Sequence, residues 1–180
     1  LLRDFKVQTH DAIDRGIRLN PILNSFQSTV NQFKIDRDLI DTFLKSMEMD
    51  LNRSRGYTQE TYDEYILGSA EVVGLMCLKV FCFGDEKMYH ALRYEAMKLG
   101  AAFQKINFLR DLNADYYELG RIYFPGIEIE AFDDRLKAEI EEDIEQDFST
   151  GYSGILKLPK KARFGVYVAY VYYYALFQKI

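Results

Sequence analysis

Proline, cysteine and histidine are scarce in this sequence, and each scarcity narrows what the chain can be. Three prolines and eleven glycines are scattered over 180 residues. That suits long helices better than many short strands joined by turns. The two cysteines, Cys77 and Cys82, stand five apart in an apolar run, and the two histidines, His10 and His90, lie far from them in sequence. This is no zinc set. Both cysteines read as buried small hydrophobes, consistent with a reducing cytoplasm. The net charge is −5, which argues against a nucleic-acid partner, since such proteins carry a basic face. Internal repeats, low-complexity linkers and a Gly-rich nucleotide fingerprint are all missing. The start, Leu1-Leu2-Arg3-Asp4-Phe5-Lys6, has no apolar signal-peptide region and no initiator Met, and it enters helical pattern at once. The expectation is a piece of a longer chain. The uncharged aromatic stretch Phe164–Phe177 covers fourteen residues, short of the ~20 that span a bilayer.

What is there is ordinary globular material. With 48% hydrophobic and 28% charged residues, residues 1–180 can bury one core and read as a single domain. Helical periodicity recurs throughout, so the predicted class is all-α. Asn20-Pro21 starts a helix running to about Phe33. A second spans 36–53, opening on Asp36 and Asp38 and closing on Arg53 and Arg55 before Gly56. Thr61-x-x-Glu64 has capping-box spacing and opens an apolar helix to about Phe83. Gly84-Asp85 resets the chain, and a long helix follows from about 86 to 118, ended by Gly120. Acidic helix fills about 134–148, Gly151 and Gly154 predict a break, and an apolar aromatic helix runs from about 160 to the end.

Chemistry concentrates on the helix through residue 104. At about 100° per residue, Asn107, Asp111, Asp115 and Glu118 fall near −60°, −20°, +20° and −40° from Gln104. They form one polar stripe about four turns long, on a helix otherwise dressed for burial by Ala101, Phe103, Ile106, Phe108, Leu109 and Leu112. Asp111 and Asp115 at i,i+4 can reach a common hard cation. Mg²⁺ takes oxygen ligands, keeps several waters and bridges carboxylates to phosphate. Asn107 adds a carbonyl oxygen, and Arg110 beside the stripe can fork a phosphate. Spacing alone leaves a solvated polar seam equally open. Asp143-x-x-x-Asp147 repeats the spacing among Glu139, Glu141, Glu142 and Glu145, and reads as a plain solvated helix.

The flanks add a resemblance. Gln104-Lys105-Ile106-Asn107-Phe108-Leu109-Arg110-Asp111-x-x-x-Asp115, followed by Gly120-Arg121-Ile122-Tyr123-Phe124-Pro125, closely resembles the second aspartate-rich motif of the phytoene/squalene synthase family. The helix Tyr65 to Met76 and the run Met47-x-x-Asp50-Leu51 are similar to two further family segments. Ala162-Arg163 and Tyr173 fall where the family has an Ala-Arg start and a core Tyr. Two positions depart: Ser69 stands where the family has Val, and Glu71 where it has Gly. Nothing before residue 60 matches the family's first aspartate motif.

The resemblance implies an isoprenoid-synthase-type helical bundle around a central cavity. It implies Mg²⁺-dependent, head-to-head condensation of two prenyl diphosphates. The favoured substrate is geranylgeranyl diphosphate, taken to phytoene through a cyclopropylcarbinyl diphosphate in carotenoid biosynthesis. Asn107, Asp111 and Asp115 would be metal ligands, and Gln104 and Arg110 would contact the diphosphate. Tyr65 and Tyr173 would be catalytic groups that also touch substrate, with Arg121 in support; a one-residue slip would move the second role to Tyr172 or Tyr174. With the first motif missing, the 180-residue piece alone is expected to be inactive. A C15-using dehydrosqualene or squalene-type synthase and a non-catalytic assembly or binding factor of the same fold remain alternatives. The expected location is cytoplasmic, with an apolar product favouring peripheral contact with the inner face of the membrane. Substrate length depends on cavity depth, and oligomeric state is not written in any of these motifs.

Overall fold

The computed structural model describes residues 1–51, 56–127 and 132–180. Among the described residues eight α-helices carry the fold: α1 (Leu2–Arg15), α2 (Pro21–Phe33), α3 (Arg37–Met49), α4 (Gln59–Ile66), α5 (Val72–Phe81), α6 (Glu86–Ala114), α7 (Asp134–Lys157) and α8 (Lys160–Phe177). Among the described residues there is no strand, only an isolated parallel bridge between Gly56 and Ile122. The all-α expectation holds.

Several boundaries follow from side chains that satisfy free backbone amides at a helix start. The Asn20 side chain accepts from the amides of Ile22 and Leu23, with Pro21 in the first turn. Asp85 accepts from Met88 N, and Asp133 from Leu136 N. Gly120 ends the α6 stretch at φ 66°, a left-handed conformation that glycine adopts without a Cβ penalty. Other boundaries differ from the sequence reading. The capping box is Thr58 with Thr61, one turn before the predicted Thr61/Glu64 pair, because Thr61 returns its own hydroxyl to the Thr58 amide. Helix α3 stops at Met49, and Arg53 and Arg55 lie outside the described residues.

The apolar helix after residue 58 is continuous but carries a π-helical turn at Leu67–Glu71 between α4 and α5, and α6 runs into a second one at Asp115–Leu119. Such wider turns often mark functional sites. Gly151 and Gly154 do not break the chain. They lie inside α7, where a Cβ would come within 2.8 Å of Leu99 Cβ and 2.5 Å of Glu95 Cβ respectively. They are contact points between α7 and α6.

Helix α6 is the spine, with α5, α7 and α8 packed around it. Ile106 on α6 and Ile144 on α7 are fully buried, each contributing roughly 1.5–3 kcal/mol. The α5–α6 contact is closer still. A Cβ on Gly74 would meet Ala96 O at 2.4 Å, and one on Gly100 would meet Ala70 O at 2.5 Å. Backbone rests on backbone at both places. A smaller core of Ile13, Val30, Ile35, Ile40 and Leu44 joins α1, α2 and α3, with Met76 and Val80 of α5 packed on it. Among the described residues no helix is long and apolar enough to cross a membrane.

Candidate active site

Small residues on four facing helices leave space that no side chain fills. Gly74 of α5, Gly100 of α6, Gly151 of α7 and Ala169 of α8 line a cavity of about 430 Å³. Its walls are mostly apolar, and three polar groups from the sequence reading gather at one end: Gln104, Asn107 and Tyr173. Tyr173 lies flat on Phe103, with ring centroids 4.1 Å apart and planes 16° from parallel. Its neighbours point elsewhere. Tyr172 is 70% exposed, and the Tyr174 hydroxyl donates to Glu145 Oε1 at 2.9 Å. Of the three adjacent tyrosines, the cavity receives Tyr173.

Asp111 and Asp115 continue the α6 stripe beyond this polar end. The Arg110 guanidinium folds onto Asp111, with Nε 2.7 Å from Oδ1 and Nη2 2.5 Å from Oδ2. That fork holds the Asp111 carboxyl below the usual carboxylate range. Asp115 is pushed the other way, first by burial and next by the Asp111 charge. Two half-buried carboxylates therefore feel each other across one helical turn. Glu118 is exposed on the second π-helical turn, and its charge acts on Asp115. Among the described residues no three His, Cys, Asp or Glu side chains gather as a metal set.

Tyr65 is buried one turn before Ser69, itself a cavity residue. It does not line the cavity. Its hydroxyl donates to Asp50 Oδ2 at 3.0 Å, and its ring sits among Tyr57, Phe108 and Tyr123. Burial, then the Asp50 charge, drives that hydroxyl far above its ordinary pKa, so it stays a donor. Arg121 ties this cluster to the stripe. Its Nη2 donates to the Asp50 carbonyl oxygen at 2.5 Å, its Nη1 lies 3.6 Å from Asp50 Oδ1, and its backbone amide donates to Asp115 O at 3.0 Å. Asp50 is the residue that sequence reasoning passed over. Its place in Met47-x-x-Asp50-Leu51 was visible, but nothing in the spacing told that it would meet Tyr65 and Arg121.

The two departures from the family pattern separate in space. Ser69 lines the cavity with its Oγ buried and lacking a hydrogen-bond partner among the described residues. Glu71 is not a cavity residue. Its carboxyl is pushed up by burial, and the cation that opposes this most is Lys98. It faces a charged cluster between α6 and α7 that corrects one expectation. Asp147 is not solvated: it is 3% exposed, with Lys105 Nζ 2.7 Å from Oδ2 and Lys98 Nζ 2.9 Å from Oδ1. Lys105 also reaches Asp143, which stays half-exposed. Cys77 is the other correction. Cys82 is buried, whereas Cys77 is open to the cavity, where the surrounding protein pushes its thiol up.

Comparison with known proteins agrees with this architecture. A family model described as squalene/phytoene synthase matches residues 1–180. A 15-cis-phytoene synthase of Synechocystis sp. is 30% identical over 168 residues, covering 81% of this chain and 50% of that protein. A 4,4'-diapophytoene synthase of Staphylococcus haemolyticus is 27% identical over 143 residues, covering 78% of this chain and 48% of the relative. The chain thus spans about half the length of these relatives. In fold it is similar to squalene synthase HpnC from Alicyclobacillus acidocaldarius, with a TM-score of 0.83 at 19% identity over 99% of this chain and 72% of that one. A dehydrosqualene synthase solved with ligand gives a TM-score of 0.82 at 21% identity over 96% of this chain and 64% of that one.

Proposed function

We propose, from the premise that this chain belongs to the squalene/phytoene synthase family, that it forms the wall of a site where two prenyl diphosphates are joined head to head. The carrying observation is the cavity, with mostly apolar walls and with Gln104, Asn107 and Tyr173 where it meets the α6 stripe. That shape suits a ligand with a long hydrocarbon tail and an anionic head. The favoured substrate is geranylgeranyl diphosphate and the favoured product phytoene.

Asn107, Asp111 and Asp115 are the residues we assign to Mg²⁺. The mutual repulsion of Asp111 and Asp115 fits a pair that a divalent cation would relieve. Two carboxylates and one amide oxygen make a partial set, which suits an ion that keeps water and takes substrate phosphate. When bound, the ion would neutralise the departing diphosphate as a Lewis acid. Gln104 at the cavity end would donate its amide N–H to a diphosphate oxygen. Arg110 already aligns Asp111 and presents remaining N–H donors on the same side. The apolar walls would exclude water while the C1–O bond breaks and the second substrate's double bond attacks. One diphosphate and one proton leave in forming the cyclopropylcarbinyl diphosphate, and one more of each in forming the hydrocarbon. Tyr173, fixed by Phe103, would turn its ring or hydroxyl toward developing positive charge, as Tyr65 would from the adjoining cluster. An apolar product supports a peripheral encounter with a membrane surface.

The test is incubation of the full-length protein with geranylgeranyl diphosphate, with and without Mg²⁺, and analysis of the hexane extract. A metal-dependent C40 hydrocarbon is expected. A C30 product from farnesyl diphosphate alone would favour the dehydrosqualene-type alternative. No product from either substrate, from folded protein, would leave a binding or assembly role.

A further inference from the structure

The two ends of the cavity are marked on the same helix. At the polar end α6 contributes Gln104 and Asn107, and at the other end Leu92. The far end is closed where α5 turns into α6: Leu78, Leu92 and Leu158 are buried in one cluster, and Phe81 and Val166 pack against it. Twelve residues of α6 separate Gln104 from Leu92, about 18 Å at 1.5 Å per residue.

A polyprenyl tail can be measured against that length. An extended polypeptide advances about 3.5 Å per three backbone bonds, or about 1.2 Å per bond. By the same measure, the sixteen-carbon main chain of a C20 tail reaches about 18 Å, a C15 tail about 13 Å and a C25 tail about 22 Å. With its first carbon level with Gln104, a C20 tail ends at the closed end. A C15 tail stops about one isoprene unit short, and a C25 tail overruns by about the same distance.

Among the groups at that end, Phe81 differs from the rest. Leu78, Leu92 and Leu158 are 3–5% exposed and support one another, so shortening them hollows the core. Phe81 is the last residue of α5, only partly buried, and borders the cavity. The chain beyond it turns at once through Phe83 and Gly84, both in left-handed conformations. Removing its ring lengthens the cavity toward that turn rather than emptying the core.

We propose that Phe81 sets the longest prenyl tail the cavity accepts, and that this limit is C20. The proposal rests on the prenyl diphosphate reading above and adds the residue that fixes substrate length. The test measures binding of the unreactive C15, C20 and C25 prenyl thiodiphosphates to the full-length protein in the presence of Mg²⁺, by calorimetry, for wild type, Phe81→Leu and Phe81→Ala. Wild type is expected to bind C20 at least tenfold more tightly than C25. Phe81→Ala should bring that ratio to about one, with Phe81→Leu between. Folded variants that keep the wild-type ratio would overturn the role of Phe81. Wild type binding C25 as tightly as C20 would overturn the limit, whatever the variants do. Failure of all three analogues to bind would instead bring down the prenyl diphosphate reading, and this proposal with it.

Discussion

Lys105 Nζ and Asp147 Oδ2 stand 2.7 Å apart, with the two side chains 8% and 4% exposed. One sits on the helix of the aspartate stripe and the other on α7. Lys98 completes the pairing on the second Asp147 oxygen. Removing Asp147 would leave the buried Lys105 held only by the half-exposed Asp143, and Lys98, 28% exposed, without its carboxylate. Asp147→Ala is expected to cost about 3–5 kcal/mol, read as a lowered urea midpoint. Asp143→Ala, at an exposed end of the same cluster, should cost less than about 1 kcal/mol. Equal small losses at both positions would remove the structural role assigned to the buried pair.

Asp111→Asn keeps size and shape while removing the charge. The full-length variant should lose about 100-fold or more in turnover and melt within a few degrees of wild type, because the Asp111 side chain is 41% exposed and pairs with the adjacent, equally open Arg110. Product formation near the wild-type rate would take Asp111 out of the mechanism.

Cys77 reports on cavity occupancy without any turnover. It is open to the cavity between the polar end and Phe81, while Cys82 is buried. A small methylating thiosulfonate should therefore modify Cys77 and spare Cys82. Its raised thiol predicts slow labelling that accelerates at alkaline pH. A C20 thiodiphosphate with Mg²⁺ should slow the Cys77 reaction at least about tenfold, by occupancy. Unchanged labelling under saturating analogue would mean that the tail lies elsewhere.

Asp50 predicts a pH dependence of stability. Burial raises its carboxyl above the ordinary value of 3.8, and the Tyr65 hydrogen bond and the Arg121 charge only partly oppose that. The folded state thus holds the proton more tightly than the unfolded one. The resulting stability is full in acid and is lost as pH rises from 3.8 through the folded value. In Asp50→Asn that loss should vanish, so the variant's stability relative to wild type grows across this window and then levels. A difference that stays constant with pH would show that Asp50 does not titrate as the fold requires.

How much of this was legible in advance depended on range. Asn20-Pro21, Gly84-Asp85 and Gly120 act within one turn of themselves, and the helices they punctuate were readable. The Gln104–Asp115 stripe was readable for the same reason, since helical geometry alone puts those residues on one side. Contacts between helices were not. Gly151 and Gly154 looked like a break because their partners, Leu99 and Glu95, are some fifty residues away. Asp147 looked solvated because its neighbours in sequence are acidic, while its neighbours in space are Lys98 and Lys105. Asp50 was visible only as part of Met47-x-x-Asp50-Leu51, and Tyr65 and Arg121 give it its role only across the fold.

The backbone contacts at Gly74 and Gly100 have a consequence for how this protein can change. With no side chain between α6 and either α5 at Gly74 or the π-helical turn at Gly100, the backbones cannot move inward, and any substitution there drives them apart. Breadth of the tail channel is therefore inherited with the scaffold, whereas its length hangs on side chains at one end. On the proposed reading, product size could then drift by ordinary point mutation, far from the carboxylates.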